Sequence, residues 1–310
     1  MRVFVTGATG FIVGEVARRL TARGDEVVAL VRNPERAAGL DCELIQGDLG
    51  DIEAIRRGLE GCDAAVHGAA VYQVGVSGAA AAAMCEANVG GTQRVLGAAL
   101  ELGVPKVVYV STVAVFGNTH GQVVDETSGP VSPPLAVYDE TKREAHEVAG
   151  RLIASGLPCV IVQPGAVYGP GDPSQLGGTL RKVAAGRMPL IAFADLGVNA
   201  VHRDDVADGI LLALDHGRAG EAYVLGGELT TLGAMAATAA RLAGRRTPRS
   251  LPGGVLRLAA KLSPRVRDLV ASSDGVTYWA SDEKARQELG YAPRGLEQGL
   301  RDTLTAEGLL

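Results

Sequence analysis

Aromatic residues and cysteines are scarce in this sequence of 310 residues, with 4% aromatic positions and only four cysteines. Cys42, Cys62, Cys85 and Cys159 are scattered without metal-ligand spacing, and the five histidines are just as dispersed, so no metal site is predicted. We expect the cysteines to be small buried side chains in a reducing compartment. The apolar residues, 47% of the chain, are mostly Ala, Val and Leu. This composition suits helices packed closely on a sheet of β-branched strands.

An excess of positive charge is also missing, since the net charge is -5 at pH 7 and the pI is near 5.6. This argues against a protein that binds nucleic acid regardless of sequence or docks on an anionic membrane. Residues 64–85 carry no Asp, Glu, Lys or Arg, but they contain His67 and Gln73 and are dominated by Ala, which argues against a membrane-spanning helix. The first residues lack the pattern of a signal peptide. We therefore expect a soluble, cytoplasmic protein whose partner is a small molecule and not a nucleic acid or a membrane.

Short β-branched runs alternate with amphipathic stretches in the first half of the chain. The candidate strands lie at residues 2–6, 26–31, 43–46, 64–67, 106–111 and 159–163. The helix-like segments between them lie at residues 14–23, 51–59, 80–102 and 138–155. Several strands are continuous apolar runs, as expected where helices cover both faces of a parallel sheet. Right-handed crossovers then predict an α/β fold with a doubly wound parallel sheet.

The pattern changes after Gln163. Residues 164–173 contain three prolines and three glycines, which predict a loop without regular structure. An amphipathic piece follows at 175–186, a helix ends near His216, and a strand-like run occupies 222–225, after which the chain is expected to be helical. We therefore expect a cofactor-binding sheet domain of residues 1–165 and 199–225. The rest, residues 166–198 and 226–310, is expected to form a smaller, discontinuous, mostly helical lobe that binds the substrate.

The first candidate strand runs into residues 6–14, Thr-Gly-Ala-Thr-Gly-Phe-Ile-Val-Gly, and then into an amphipathic helix. A glycine-rich turn at this place lets the backbone approach a pyrophosphate, which is held by the N–H groups of the helix terminus. The pattern predicts a Rossmann domain whose dinucleotide contacts Gly7, Thr9, Gly10, Phe11 and Ile12. Val13 stands at the place of the third glycine, where we expect it to push the first helix outward slightly or to shift its start. An ordinary glycine-rich turn is the alternative.

The end of the second candidate strand indicates which dinucleotide is bound. An NAD site places a carboxylate there to accept the ribose hydroxyls, whereas this chain has Arg32 and no acid at the expected place. Arg32, helped by Arg36, is expected to pair with a 2′-phosphate, although a single arginine is more often a solvated surface residue. NADP is therefore the expected cofactor and NAD the alternative. Asp48 and Leu49, after the third strand, are expected to flank the adenine.

Tyr138 and Lys142 are four residues apart and lie on one face of a candidate helix. A tyrosine with its ordinary pKa of about 10 is a poor base at neutral pH. A lysine one turn along, together with a cationic nicotinamide, would lower that pKa toward the working range. Ser111 and Thr112 stand at a strand end, and because successive side chains point to opposite faces, only one hydroxyl can donate to the reacting oxygen. A surface lysine–tyrosine pair and ordinary hydroxyls are the alternatives.

Several motifs occur in a fixed order along the chain. They are Thr-Gly-Ala-Thr-Gly at 6–10, Asp-Leu at 48–49, His-Gly-Ala-Ala at 67–70, Ser-Thr at 111–112, Tyr-x-x-x-Lys at 138–142, Pro-Gly-Ala-Val-Tyr-Gly-Pro at 164–170 and His-Arg-Asp-Asp-Val at 202–206. Together they resemble an extended short-chain dehydrogenase/reductase of the NAD-dependent epimerase/dehydratase superfamily over essentially the whole chain. The chain resembles the dihydroflavonol-reductase-like and hopanoid-associated sugar epimerase branch in particular.

The resemblance implies roles for individual residues. Thr112 would be the catalytic hydroxyl with Ser111 behind it, Tyr138 the general acid/base with Lys142 as its partner, and Asn88 a support of the active-site strand. The residues implied to contact the cofactor also include Tyr138, Lys142, Ala69, Ala70, Pro164 and Val167. The resemblance further implies a homodimer formed through the helices at 80–102 and 138–155.

Two features that hold the substrate phosphates in nucleotide-sugar enzymes of this superfamily are replaced here, by Ala166 and Val198. Arg203 is a possible substitute, but the acids that follow it predict a helix start. We therefore expect hydride transfer to or from a small, largely apolar carbonyl or alcohol. We expect the pocket walls to include Val71, Tyr72, Val113, Met188 and Phe193. The alternative for each of them is an ordinary position in the core. The alternatives are a nucleotide-sugar epimerase or dehydratase that retains NAD(P), and a non-catalytic sensor that binds NADP.

Overall fold

Seven parallel strands form the central sheet of the protein, whose residues 1–73, 75–251, 254 and 269–310 are described by a computed structural model. In chain order the strands of this sheet are β1 (Arg2–Thr6), β2 (Glu26–Val31), β3 (Glu43–Gln46), β4 (Ala64–His67), β5 (Val107–Val110), β6 (Cys159–Pro164) and β10 (Ala222–Leu225). Their order across the sheet is β10-β6-β5-β4-β1-β2-β3. The predicted α/β class with a doubly wound parallel sheet is confirmed. The strand order reverses between β1 and β4, where open α/β sheets bind their ligands.

Ten α-helices are described, several of which cover both faces of the central sheet. The ten are α1 (Val13–Ala22), α2 (Ile52–Leu59), α3 (Gly78–Cys85), α4 (Gly91–Glu101), α5 (Val137–Ala154), α6 (Gln175–Ala184), α7 (Arg203–His216), α8 (Leu232–Leu242), α9 (Glu283–Leu289) and α10 (Leu296–Ala306). Of these, α6, α8 and α10 pack with a second sheet. Along β1, Val3 and Val5 pack with α1 and α7 on one face. Phe4 packs with α2, α4 and α5 on the other. This alternation explains why β1 is a continuous apolar run, because both of its faces are buried.

A second sheet corrects two expectations for the later part of the chain. It has the order β11-β9-β7, with β9 (Gly197–His202) parallel to β7 (Ala166–Tyr168) and antiparallel to β11 (Glu228–Thr231). Residues 164–173 were expected to lack regular structure, yet they contain β7, and the region after β10 was expected to be helical, yet it begins with β11. Both strands are short and pair only with β9, so their stability comes from contacts distant in sequence. A third, two-stranded sheet joins β8 (Leu190–Ile191) and β12 (Arg249–Ser250).

Two further expectations concern the burial of the cysteines and the possibility of a membrane-spanning helix. All four cysteines are free, with Cys62 and Cys159 buried and Cys42 and Cys85 partly exposed. Within the described part of the chain, none of the helices combines the length and the apolar character needed to cross a bilayer. Residues 252–253 and 255–268 of the expected substrate lobe lie outside the described residues.

Candidate active site

One cavity of about 920 Å³ lies at the carboxyl ends of the central strands. It brings together most of the site residues expected from sequence, from the glycine-rich turn to the Tyr138 helix. Those lining it are Gly7, Thr9, Gly10, Phe11, Ile12, Arg32, Asp48, Leu49, Ala69, Ala70, Val71, Tyr72, Ser111, Thr112, Tyr138, Lys142, Pro164 and Val167. Val113, Met188 and Phe193 do not line it. They are largely buried elsewhere, Val113 in a small core cluster beside α5 and Met188 against the core of the second sheet.

The turn between β1 and α1 has the geometry of a pyrophosphate site. Gly7 has a φ of +88°, and a Cβ there would lie 3.0 Å from the Ala69 nitrogen, so only glycine suits this position. Helix α1 has no side-chain cap, and the N–H groups of Phe11, Ile12 and Val13 have no protein acceptor within the described residues. These three donors at a helix N-terminus fit a dinucleotide phosphate.

Val13 is the first residue of α1 and packs against a glycine of the sheet edge. The Val13 side chain is buried against Gly68, where an added Cβ would overlap Val13 Cγ2. Gly14 makes a close approach to the glycine-rich turn, since a Cβ there would lie 3.0 Å from the Ala8 carbonyl oxygen. Gly68 therefore provides the space for the Val13 side chain, and the outward shift of α1 stays a prediction.

The far end of the cavity is the expected adenosine site. Arg32 is exposed, lines the cavity and forms no ion pair with any residue that the structure describes, whereas Arg36 does not line the cavity. One carboxylate oxygen of Asp48 accepts a hydrogen bond from the Gly50 nitrogen at 2.7 Å. The Leu49 carbonyl accepts one from Arg94 Nε at 2.6 Å, and Arg94 also lines the cavity although the sequence did not single it out.

Tyr138 and Lys142 lie in the first turns of α5 and face the end of β5. The Lys142 Nζ donates to the Val110 carbonyl at 3.0 Å and lies 5.1 Å from the centre of the Tyr109 ring. Burial lowers the pKa of Lys142 to about 8. Burial also raises the pKa of Tyr138 in the protein alone, and its hydroxyl has no hydrogen-bond partner within the described residues. The expected lowering therefore requires a cofactor beside the tyrosine.

Ser111 and Thr112 have different partners, as their alternation along the strand predicts. The Ser111 hydroxyl is hydrogen-bonded to His146 Nδ1 at 3.0 Å, and the residue is buried although it lines the cavity. The Thr112 hydroxyl oxygen accepts a hydrogen bond from the Ala114 nitrogen at 3.2 Å, at the start of a 3₁₀ turn. Because this bond uses the oxygen, the Thr112 proton is left to donate into the cavity.

Asn88 supports the cavity wall through three hydrogen bonds. Its Oδ1 accepts from the Val71 nitrogen at 2.7 Å, and its Nδ2 donates to the Val71 carbonyl and to Thr141 Oγ1, both at 3.0 Å. Asn88 lies in a π-helical turn, Glu86–Gly90, between α3 and α4, a deviation that often marks a functional site. These bonds tie the segment after β4 to α5, which carries Tyr138.

The substrate end of the cavity lies beside Tyr138. The Tyr72 ring is 55% exposed and packs edge-on against Tyr138, with ring centres 4.7 Å apart. Asp172, Ser174 and Leu176 also line this end, and sequence reasoning missed them. The available signal was the Asp-Pro-Ser sequence before α6, where the Ser174 hydroxyl accepts from the Leu176 nitrogen as a helix cap.

The structure contains no arginine at the positions that would hold a substrate diphosphate. Ala166 lies at the cavity wall, and Val198 is buried in β9. Arg203 donates to the Pro170 carbonyl at 2.9 Å and to Asp204, and it stacks on Phe11 at 5.5 Å. It begins α7 and does not line the cavity, so it does not replace the missing phosphate ligand.

Comparisons with known proteins agree with this geometry. The family model described as "NAD dependent epimerase/dehydratase family" matches residues 3–226. A putative dihydroflavonol 4-reductase from Synechocystis sp. is 32% identical over 97% of this chain and 93% of its own length. A 4-hydroxy-2-methyl-3-oxo-4-farnesyl-3,4-dihydroquinoline-1-oxide ketoreductase from Stigmatella aurantiaca is 31% identical over 99% of this chain and 97% of its own. The structure of DesIV, a dTDP-glucose 4,6-dehydratase from Streptomyces venezuelae with NAD bound, superposes with a TM-score of 0.83 at 28% identity, covering 99% of this chain and 97% of that one.

Proposed function

The chain belongs to the NAD-dependent epimerase/dehydratase family as an extended short-chain dehydrogenase/reductase, and from this premise we propose that it is an NADP-dependent oxidoreductase acting on a small, largely apolar carbonyl or alcohol. The observation that carries the proposal is the position of Tyr138. Its unpartnered hydroxyl shares one cavity with Thr112, Lys142 and the glycine-rich turn. A proton donor is thereby placed next to the site expected for a nicotinamide.

Each polar residue of the site has a distinct role in this reaction. The bound nicotinamide supplies or accepts the hydride. The Thr112 hydroxyl, oriented by the Ala114 nitrogen, donates a hydrogen bond to the substrate oxygen. Tyr138 gives its proton to that oxygen during reduction and takes it back during oxidation. The Lys142 ammonium, held by the Val110 carbonyl, stabilises the tyrosine anion and binds the nicotinamide ribose.

Arg32 is the basis of the preference for NADP. Its side chain lies at the adenosine end of the cavity, and a guanidinium there is suited to the 2′-phosphate of NADP. We expect NADP to bind more tightly than NAD, and Arg32→Asp to reverse the preference by removing the cation and repelling the phosphate. Titration of both cofactors by fluorescence measures this, with Arg57→Asp as the control because Arg57 is exposed on α2. Equal affinity of the wild type for the two cofactors would contradict the assignment.

The apolar character of the substrate is supported by the substrate end of the cavity. Its walls include Val71, Tyr72, Ala166 and Leu176, and of the residues that the structure describes, no arginine lines this end beside them. The ketoreductase of Stigmatella aurantiaca is named for a farnesylated substrate, which is consistent with an apolar ligand. A screen of ketones and alcohols with NADPH or NADP, followed by absorbance of the nicotinamide, tests the reaction. Tyr138→Phe should lower turnover by about 100-fold or more, whereas unchanged turnover would favour a sensor that only binds NADP.

A nucleotide-sugar epimerase or dehydratase is the second candidate, favoured by the similarity to DesIV over almost the whole chain. Such an enzyme returns the hydride to its product, so the cofactor shows no net change. Incubation with a panel of nucleotide sugars and chromatography of the products distinguishes the two functions. Conversion of a nucleotide sugar without net consumption of NADPH would replace the first proposal by the second.

A further inference from the structure

Five cations lie along one edge of the substrate lobe, where α6, β8 and β12 meet. Two chain segments run side by side there, since the Arg249 nitrogen donates to the Pro189 carbonyl at 2.9 Å and Arg245 Nε to the Ala184 carbonyl at 3.3 Å. All five side chains are exposed. We call this surface the basic edge, and it consists of Lys182, Arg187, Arg245, Arg246 and Arg249.

Among the described residues, the basic edge has no carboxylate partners. None of its five side chains forms an ion pair with any residue in the described ranges 1–73, 75–251 and 269–310. Neighbouring arginines behave differently, because Arg181 on α6 pairs with Glu307 at 3.2 Å and Arg241 on α8 pairs with Glu297 at 2.7 Å. A chain of net charge -5 therefore concentrates unpaired positive charge on one small surface, which sets up a local positive potential.

Favourable interaction with a helix terminus explains the positions of only some of the cations in the basic edge. Lys182 lies in the last turn of α6, where a cation is favoured by the helix dipole. Arg245 bonds to a carbonyl near the end of the same helix. Arg246 and Arg249 lie beyond the last residue of α8, and neither side chain donates to a carbonyl of the described residues. Interaction with a helix terminus therefore does not explain the positions of Arg246 and Arg249.

An exposed leucine lies within the basic edge. Leu190 is 48% exposed and pairs with Arg249 in the two-stranded sheet. An apolar side chain surrounded by cations is typical of surfaces that lie on an anionic bilayer, with the leucine reaching the acyl boundary and the cations contacting the headgroups. An exposed leucine is not expected on a surface that binds nucleic acid. In the part of the chain that the structure describes, no groove is observed at this edge that would favour an acidic protein partner.

We propose that the basic edge docks the protein on the anionic headgroups of a lipid bilayer. This differs from the expectation drawn from net charge, which averages over the whole chain and conceals a local surface. Helix α6 connects the basic edge to the cavity, since Leu176 lines the cavity and Lys182 lies about 9 Å further along the helix axis. Docking would hold the cavity near the bilayer. Only the delivery of an apolar substrate from the lipid rests on the function proposed above; the docking itself does not.

Sedimentation with vesicles tests the docking. The full-length protein should bind vesicles of phosphatidylcholine mixed with phosphatidylglycerol, should not bind phosphatidylcholine alone, and should be released by salt. Each cation contributes about five-fold to such binding, so Arg246→Glu with Arg249→Glu should weaken it by about 25-fold or more. The matched control is Arg57→Glu with Arg151→Glu, which makes the same charge change at exposed positions on α2 and α5. Leu190→Ser should weaken binding without changing charge.

The outcomes separate docking from its alternatives. The absence of binding to either kind of vesicle, or equal weakening by the control pair, overturns the proposal. Binding to double-stranded DNA without binding to anionic vesicles also overturns it and assigns the basic edge to nucleic acid. The circular dichroism spectrum of every variant serves as the check of folding. Vesicle binding by a protein that fails to bind NADP would leave docking intact and reject the proposed function instead.

Discussion

Tyr138 and Lys142 do not bond to each other in the structure, and burial shifts their pKa values in opposite directions. The pKa of the tyrosine is raised, so it is protonated and ready to donate at neutral pH. The pKa of the lysine is lowered to about 8, so it is close to losing its charge. In the proposed reduction the proton donor is therefore present at neutral pH, and the stabilising cation is the group of this pair that is sensitive to pH near 8.

A pH profile of carbonyl reduction follows from these two residues. Lys142 is charged below its pKa of about 8 and neutral above it, whereas Tyr138 stays protonated through this range. We expect kcat/KM for reduction with NADPH to be level at neutral pH and to decline as pH rises through about 8. Lys142→Gln should lower kcat/KM by about 100-fold and remove this decline. A profile of the wild-type enzyme that stays level well above pH 8 would contradict the role of the ammonium.

His67 predicts loss of stability in acid. Burial lowers the pKa of His67 to about 3, so the ring is neutral at pH 7. The Thr92 hydroxyl donates to the Asn88 carbonyl, so it accepts from His67 Nε2, and the unprotonated Nδ1 of the neutral ring accepts from the Thr6 hydroxyl. The unfolded chain takes up this proton near pH 6.5, so stability is lost as pH falls from there toward 3. Between pH 7 and pH 5 this amounts to about 2 kcal/mol.

Urea denaturation at the two pH values measures the contribution of His67. His67→Asn should reduce the difference in unfolding free energy between pH 7 and pH 5 by about 2 kcal/mol, whatever its own cost in stability. His216→Asn changes an exposed histidine and should leave the difference as in the wild type. If the two variants show the same pH dependence, His67 is not the acid-sensitive group.

At the scale of elements, the packing of α1 on the sheet depends on a pair of residues far apart in sequence. Val13 occupies space that Gly68 leaves open at the end of β4. A methyl group at Gly68 would overlap Val13 Cγ2 and lie 3.2 Å from Val110 Cγ2. We expect Gly68→Ala to lower the free energy of unfolding by about 1–3 kcal/mol and to weaken NADP binding, because the strained contact lies directly beneath the glycine-rich turn.

The double variant Val13→Ala with Gly68→Ala isolates this contact. Removing the valine methyls makes room for the new alanine, so Gly68→Ala should cost about 1 kcal/mol less in this background than alone. Gly150→Ala is the control, since that glycine lies in α5 with no atom within 4 Å of an added Cβ, and it should be neutral or stabilising. Additive effects of the two substitutions in urea denaturation would show that the residues do not compete for space.

The elements of the central sheet could be predicted because their apolar runs are local. The strands at 2–6, 26–31, 43–46, 64–67 and 222–225 have the observed bounds, and that at 106–111 is one residue longer at each end than β5. β7 and β11 could not be found in this way. β7 has glycine and proline on both sides, and β11 (Glu-Leu-Thr-Thr) has one strongly apolar residue, so only pairing with β9 makes them strands.

Site residues, like strands, could be predicted where a local sequence pattern marks them and were missed where only the fold brings them to the cavity. Turn and helix patterns identify Gly7, Tyr138 and Lys142, because each pattern fixes the chemistry and the position together. Asp172 and Arg94 reach the cavity from segments whose local sequence indicates only a helix cap and a helix surface. Met188 and Phe193 were expected at the wall because they are apolar, but apolar character does not distinguish a pocket wall from the core.

At the scale of the whole molecule, one buried amide connects the second sheet to two other segments of the chain. Asn199 on β9 is 1% exposed. Its Oδ1 accepts from the Gly227 nitrogen at 2.8 Å, just after β10, and its Nδ2 donates to the Ala280 carbonyl at 2.7 Å. Three segments distant in sequence therefore meet at this side chain. In the sequence Asn199 follows Val198, the position where nucleotide-sugar enzymes have a phosphate ligand. Only the fold shows that Asn199 connects distant segments of the chain.

Asn199→Ala should therefore destabilise the whole molecule. It leaves the Gly227 nitrogen and the Ala280 carbonyl buried without their partner, which should lower the free energy of unfolding by about 3 kcal/mol. Asn33→Ala removes a single exposed hydrogen bond to the Glu35 nitrogen and should cost about 1 kcal/mol or less. Urea denaturation followed by circular dichroism and by Trp279 fluorescence compares the two variants. Because Trp279 adjoins the Ala280 contact, a loss of fluorescence before the loss of helix would show that the lobes separate first, whereas equal stability of the two variants would exclude Asn199 as their link.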